Sequence, residues 1–155
     1  MSRRKKVCLF GGTFDPPHIG HLLVAQTIIE AENFDKIVFI PTFKTPQKNN
    51  ITDIKDRLAM LRMGVTSNPK FEISDLEIQR GGTSYTIDTV RDYKSDQDYD
   101  SRELYYLIGS DSLQTFHIWK EPREILDESQ VIVALRPGFR PVSYTHLTLP
   151  TIYSV

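Results

Sequence analysis

A doubly wound α/β fold, built on a parallel sheet of about five strands, is what this sequence predicts. Three observations carry that prediction. Short apolar runs recur along the chain and each is closed by glycine or proline: Val7–Phe10 before Gly11-Gly12, Lys36–Ile40 before Pro41, and Leu104–Ile108 before Gly109. Runs of this kind, without polar alternation, suit strands buried on both faces. Between them lie segments with apolar residues at helical spacing, and strands alternating with helices signal a parallel sheet covered by helices. The length of 155 residues suits one domain around one hydrophobic core.

The elements follow in order. Val7–Phe10 is the first strand, and from Gly20 the pattern turns helical, with Leu22, Ala25, Ile28 and Ile29 on one face. Lys36–Ile40 is the second strand, and the polar stretch Pro41–Asn50 is a loop. Thr52 is placed to cap a helix in which Ile54, Leu58, Leu61 and Val65 recur at helical spacing, ended by Asn68-Pro69. Phe71–Ile78 contains a short strand that Gly81-Gly82 breaks. Ser84 or Thr86 can cap a short helix through Val90 and Tyr93, and Lys94–Arg102 reads as a surface loop. Leu104–Ile108 is a strand, Asp111–Phe116 and Glu121–Leu126 are short helices, and Val131–Leu135 is the last strand before Arg136-Pro137-Gly138. No internal repeat and no linker interrupts this order. Ligands of such a fold bind at the carboxyl ends of the strands.

Composition narrows the function classes. Apolar residues make up 39% and charged residues 25%, as in a folded chain. The net charge of -1 offers no broad attraction to nucleic acid, so no nucleic-acid partner is expected. No segment approaches membrane-spanning length, and Val7–Phe10 is too short for a signal-peptide core, so the expectation is a cytoplasmic enzyme or binding protein with no membrane partner. The lone Cys8 lies inside an apolar run and reads as a buried strand residue. The basic run Arg3–Lys6 reads as a solvated lead-in to the first strand.

The chemistry concentrates in Gly11–His21, between a buried strand and an amphipathic helix. Gly11 and Gly12 let the backbone turn sharply and come close to a ligand, and the exposed N–H groups of the turn and helix start form an anion site. His18 and His21 lie one helical turn apart, so both imidazoles can donate to phosphate oxygens from the same side. A structural metal site needs more ligands, and only His117 and His146 remain as histidines beside one cysteine. A plain turn with surface histidines is the other alternative. The combination of strand, glycines, paired histidines and helix start favours phosphate chemistry.

This segment, with its literal string His18-Ile19-Gly20-His21, resembles the signature of the HIGH-type nucleotidyltransferases. Further stretches resemble nicotinate-nucleotide adenylyltransferase: Arg57–Leu61, Glu77-Ile78 with Arg80, Ser84–Thr89, Gly109–Leu113 and Trp119-Lys120. The likeness spans about residues 5–139, in matching order. It implies a Rossmann-like domain over residues 1–139 that transfers AMP from ATP to nicotinate mononucleotide, giving deamido-NAD and pyrophosphate in NAD biosynthesis. It implies that Gly11, Gly12, Thr13, Phe14, His18, Gly20, His21, Gly109 and Asp111 contact ATP, with His18 and His21 catalytic. It implies that Asp15, Lys48, Ser84, Tyr85, Thr86, Trp119 and Arg136 face nicotinate mononucleotide. The residue types fit: Trp119, the only tryptophan, offers a flat face for the ring, and the helix start at Ser84–Thr86 offers N–H groups to its carboxylate. Trp119 as a half-buried core residue, and Ser84 or Thr86 as ordinary caps, remain open beside these roles. Asp111 can accept from a ribose hydroxyl or act as a cap. Asp15 can order the turn or help position magnesium indirectly. Magnesium is expected to arrive on the ATP phosphates rather than in a protein cage. A homo-oligomer is compatible with this reading.

Two departures from the pattern stand out. Where the family shows Pro-Pro-His-Lys, this chain has Thr45-Pro46-Gln47-Lys48, which keeps the lysine and loses the histidine. The family's Ile-Ser-x-Thr-like phosphate motif is missing, and residues 140–155 form an anomalous tail rich in Thr, Ser and Tyr that resembles translated adapter sequence. The expectation is a C-terminally truncated domain with a disordered or artefactual tail. The alternatives are phosphopantetheine adenylyltransferase, which shares the first motif, and an inactive nucleotide-binding remnant.

Overall fold

Burial alternates along the first strand, β1 (Val7–Gly12): Val7 and Leu9 enter one apolar layer, Cys8 and Phe10 the other. A strand with both faces covered belongs at the centre of a sheet. In the computed structural model, which describes residues 5–17, 19–45, 50–97 and 104–135 and the backbone of 151–154, β1 does lie in the interior. The sheet runs β3 (Phe71–Ile73), β2 (Lys36–Pro41), β1, β4 (Leu104–Gly109), β5 (Gln130–Leu135) and β6 (Thr151–Ser154). Every pairing is parallel, with Phe10 opposite Phe39 on one side and Leu107 on the other. This is the doubly wound order, in which the chain reverses direction between β1 and β4 and opens a crevice at the strands' carboxyl ends.

The helices divide between the two faces. α1 (Ile19–Ala31) buries Ala25, Ile28 and Ile29, and α2 (Ile54–Val65) buries Leu61, in the layer that holds Cys8, Phe10 and Phe39. α4 (Thr86–Gln97), α5 (Ser110–Thr115) and α6 (Pro122–Glu128) bury Ile87, Val90, Leu113 and Ile125 in the layer that holds Val7, Leu9 and Val38. Each fully buried aliphatic side chain of this kind contributes about 1.5–3 kcal/mol of transfer free energy. The Cys8 thiol lies in one of these layers, and burial pushes its pKa up, so it stays a neutral packing group.

Several expectations change. Thr52 does not cap α2: Asp53 does, its side chain accepting from Lys55 N–H at 2.9 Å, while the Thr52 N–H donates to Asp15 and its carbonyl accepts from Arg57 Nε. The short strand expected within Phe71–Ile78 is present as Phe71–Ile73, and the change is beyond it, where Leu76–Arg80 forms a short helix, α3, that the sequence reading did not place. The loop expected from Lys94 is helix as far as Gln97, since Tyr93 is buried and Lys94 pairs with Glu128 at 3.2 Å. Lys6, read as part of a solvated run, is half-buried: its ammonium pairs with Glu32 and lies over the rings of Phe34 and Tyr105. The five expected strands are present, and Thr151–Ser154 adds a sixth, paired with β5 from Ile132↔Thr151 to Leu135↔Ser154. Thr, Ile and Tyr favour pleated backbone, which is the local reason four residues of the tail can extend the sheet.

Candidate active site

The site is built where β1, β2 and β4 end. Gly11 does not adopt a left-handed backbone; it is glycine because a Cβ there would lie 2.1 Å from the Tyr106 hydroxyl. Tyr106 is buried on β4, and its hydroxyl bonds the side chain of Thr86, the first residue of α4. The turn after β1 therefore rests on a tyrosine that also touches the start of the helix expected to hold the acceptor.

Beyond Gly12 the chain turns through Phe14, which carries a positive φ of 48°. A bulky residue holds that conformation only when its surroundings compel it. Here the ring is driven inward, 2% exposed, with its centroid 5.6 Å from Phe10 and 5.7 Å from Phe39. Phe14 therefore serves the site from within the core, and its ring faces no solvent. It meets the His21 ring edge-on at 5.2 Å, and Phe10 meets the same ring at 6.0 Å. These two aromatics fix the plane of a half-buried imidazole at the start of α1. Gly20, beside it, is also half-buried.

Acceptors of the turn are tied down by the neighbouring loops and by α2. Asp15 Oδ2 accepts from Thr52 N–H at 2.7 Å, so this carboxylate orders the turn against the start of α2. Thr42 N–H donates to Gly12 O at 2.9 Å. Arg57, on α2, is 1% exposed and donates to Thr13 O, Thr42 O and Thr52 O at 3.1, 2.6 and 2.8 Å. Burial lowers the pKa of its guanidinium, and Asp15 and Asp53 oppose that shift.

The second half of the site is the start of α4. Ser84 N–H donates to Lys44 O at 2.7 Å, and the Ser84 hydroxyl accepts from Phe43 N–H at 3.4 Å and bonds the Glu77 carboxyl. Ser84 is thus a structural tie whose polar groups serve neighbouring loops. Glu77, 4% exposed, also accepts from the Thr89 hydroxyl at 2.5 Å, and burial raises its pKa against the pull of those hydrogen bonds and of Arg80. Of the expected acceptor residues, Tyr85 lies against Lys120, the chain neighbour of Trp119. The Lys120 ammonium lies 4.8 Å above the Tyr85 ring and 3.4 Å from Asp88. Trp119 is half-buried, packs on Phe116 at 5.2 Å and donates from Nε1 to Thr115 Oγ1 at 3.3 Å. Both readings of this tryptophan coexist: it belongs to the core edge and keeps part of its surface open.

Gly109 caps the start of α5 and is exposed beside Asp111, at the carboxyl end of β4. Between them the Ser110 hydroxyl is buried and, among the described residues, has no hydrogen-bond partner. His18, Lys48 and Arg136 lie outside the described residues.

Sequence reading assigned no role to Arg57, Tyr106 or Glu77. Arg57 carried a usable signal, since it stands four residues before the buried Leu61 and so shares its face of α2. Tyr106 carried none, because its partner Gly11 is set by strand register.

Comparison with known proteins places this geometry. The cytidylyltransferase-like family matches residues 9–153. A relative from Aquifex aeolicus (strain VF5), named as a probable nicotinate-nucleotide adenylyltransferase, is 44% identical over 131 residues, 84% of this chain and 77% of the relative. The nicotinate-nucleotide adenylyltransferase of Bacillus subtilis (strain 168) is 42% identical over 137 residues, 87% of this chain and 71% of that protein. Among solved structures, the Plasmodium falciparum nicotinic acid mononucleotide adenylyltransferase complexed with NaAD superposes with a TM-score of 0.78 at 21% identity, covering 98% of this chain and 75% of that one. Among the described residues, no helix is long and apolar enough to cross a membrane.

Proposed function

Since this chain belongs to the cytidylyltransferase-like family, and within it to the nicotinate-nucleotide adenylyltransferases, we propose that it transfers AMP from ATP to the phosphate of nicotinate mononucleotide. The products are deamido-NAD and pyrophosphate, so the chain serves NAD biosynthesis. The observation that carries this reading is the meeting of two half-sites at the carboxyl ends of the central strands. The turn Gly11–Phe14 with His21 forms one, and Tyr85–Thr86 with Trp119-Lys120 forms the other, joined by the Tyr106 hydroxyl between Gly11 and Thr86.

An oxygen of the acceptor phosphate attacks the α-phosphate of ATP, and the bond to the leaving pyrophosphate breaks. That nucleophile is already ionised at neutral pH, so no side chain has to remove a proton. The protein's task is alignment and charge neutralisation. The turn's N–H groups and the braced His21 imidazole donate to the triphosphate, and the exposed carboxylate of Asp111 suits a ribose hydroxyl. The first N–H groups of α4 face the acceptor's carboxylate with the positive end of the helix dipole, and the neighbouring Lys120 ammonium favours an acid over an amide. Magnesium enters as part of the ATP substrate, carried by its phosphates. Asp15, the carboxylate nearest the turn, already accepts from Thr52 and suits an ordering role better than a ligand's.

Pyrophosphate release with ATP and either nicotinate or nicotinamide mononucleotide tests the reading directly. We expect turnover with the acid and little with the amide. In the same assay His21→Ala lowers kcat by about two orders of magnitude, as loss of a transition-state donor does. The affinity for nicotinate mononucleotide stays within about threefold, because His21 serves the other substrate. Equal losses in turnover and acceptor affinity would remove His21 from the proposed role.

A further inference from the structure

We infer that Arg57 is a positioning residue that sets the distance between the two substrates by clamping the nucleotide turn to the loop that holds the acceptor helix. This rests on the functional reading above for the identity of the substrates, and on geometry alone for the clamp. The guanidinium is buried, and its partners are main-chain carbonyls from three separate stretches. Nη1 reaches Thr13 O in the turn after β1 and Thr42 O after β2; Nη2 reaches Phe43 O at 3.5 Å; Nε reaches Thr52 O before α2.

The connection does not stop there. Phe43 N–H donates to Ser84 Oγ, and Lys44 O accepts from Ser84 N–H, so the stretch after β2 that Arg57 grips also holds the residues just before α4. A continuous path runs from Thr13 through Arg57 and Thr42–Lys44 to Ser84. One end lies in the triphosphate half-site and the other in the acceptor half-site. Burying a guanidinium is costly unless its donors are satisfied. The planar fork fits several carbonyls at once, where a lysine ammonium offers a single point of donation. In-line transfer tolerates little error, and a displacement of about 1 Å can cost on the order of a hundredfold in rate.

Arg57→Lys keeps the charge and loses the fork. We expect kcat to fall by about fiftyfold or more, while KM for each substrate changes less than about fivefold. Hydrogen exchange supplies a readout that needs no substrate. In Arg57→Lys the amides of Thr42 and Ser84, which bond Gly12 O and Lys44 O, should exchange faster together, while the β4–β5 ladder stays protected. Leu61→Ala, a core truncation on the same helix, is the control for lost stability alone.

Native kcat in Arg57→Lys overturns the proposal. So does a loss of kcat no larger than that of Leu61→Ala at matched folded fraction, or unchanged exchange at Thr42 and Ser84. If the wild-type chain transfers nothing to nicotinate mononucleotide, the functional reading fails on its own, and the paired exchange still decides the clamp. If the lysine variant does not fold, native-state exchange of the wild-type chain decides. Thr42 and Ser84 opening as one unit supports the clamp, and opening at unrelated free energies overturns it.

Discussion

Gly11 answers to a tyrosine on the neighbouring strand. A methyl group there meets the Tyr106 hydroxyl at 2.1 Å, whereas Gly12 would meet nothing closer than the Phe14 ring at 3.4 Å. Gly11→Ala should therefore cost about 1–3 kcal/mol, as overpacking does. Adding Tyr106→Phe removes the clashing oxygen, leaves Cζ at 3.2 Å and should recover part of that loss. Denaturant melts of the two single variants and the double variant test this; strictly additive losses would detach Gly11 from Tyr106. Glu77 makes the second residue-scale prediction. Burial raises its folded pKa above the ordinary 4.5, so the folded chain keeps a proton that the unfolded chain has already released. Its stabilising contribution is complete below the unfolded pKa and is lost as pH rises through the folded one. Glu77→Gln should flatten that decline, so that its melting temperature gains on the wild type as pH rises from about 4 to 7. A parallel pH profile in the two proteins would show that Glu77 ionises normally.

At the scale of the element, α2 carries Arg57, the residue proposed to clamp the two halves of the site. The helix is short and opens on the Asp53 cap, whose side chain accepts from Lys55 N–H. Asp53→Ala should destabilise the chain by about 1 kcal/mol, read as a shift of the denaturation midpoint with an unchanged slope. The sequence placed this helix correctly by its apolar spacing and put the cap one residue early. Thr52 and Asp53 are both good caps by type, and in the fold Thr52 is held by its backbone to Asp15 and Arg57 while the Asp53 side chain takes the cap. The short strand expected within Phe71–Ile78 is present as Phe71–Ile73, and Ser74 N–H still donates to Phe39 O of β2 beyond its end.

For the whole molecule, the sheet separates two apolar layers that share no side chain. Ile28 lies in one and Ile87 in the other. Ile28→Val and Ile87→Val should each cost about 0.5–1.5 kcal/mol. The double variant should equal their sum within about 0.5 kcal/mol, because a rigid sheet stands between the two sites. A coupling above that would mean the layers repack as one.

The fold and the turn-and-helix geometry of the proposed triphosphate half-site were legible in the sequence because both are local. Strand, glycine turn and helix follow one another within residues 7–31, and their order alone brings His21 to the end of β1. Family likeness extended that reading to Tyr85, Thr86 and Trp119. What tertiary structure alone decided is which residues hold these parts in register. The reach of Arg57 to Thr13 and Thr42, the seat of the Tyr106 hydroxyl under Gly11, the burial of Phe14 against Phe39 and the pairing of Thr151–Ser154 with β5 all join residues far apart in the chain. Periodicity reports which face of an element is apolar. It carries no information on which backbone carbonyl a buried guanidinium will meet, because that depends on strand order and register, and these exist only once the sheet has closed.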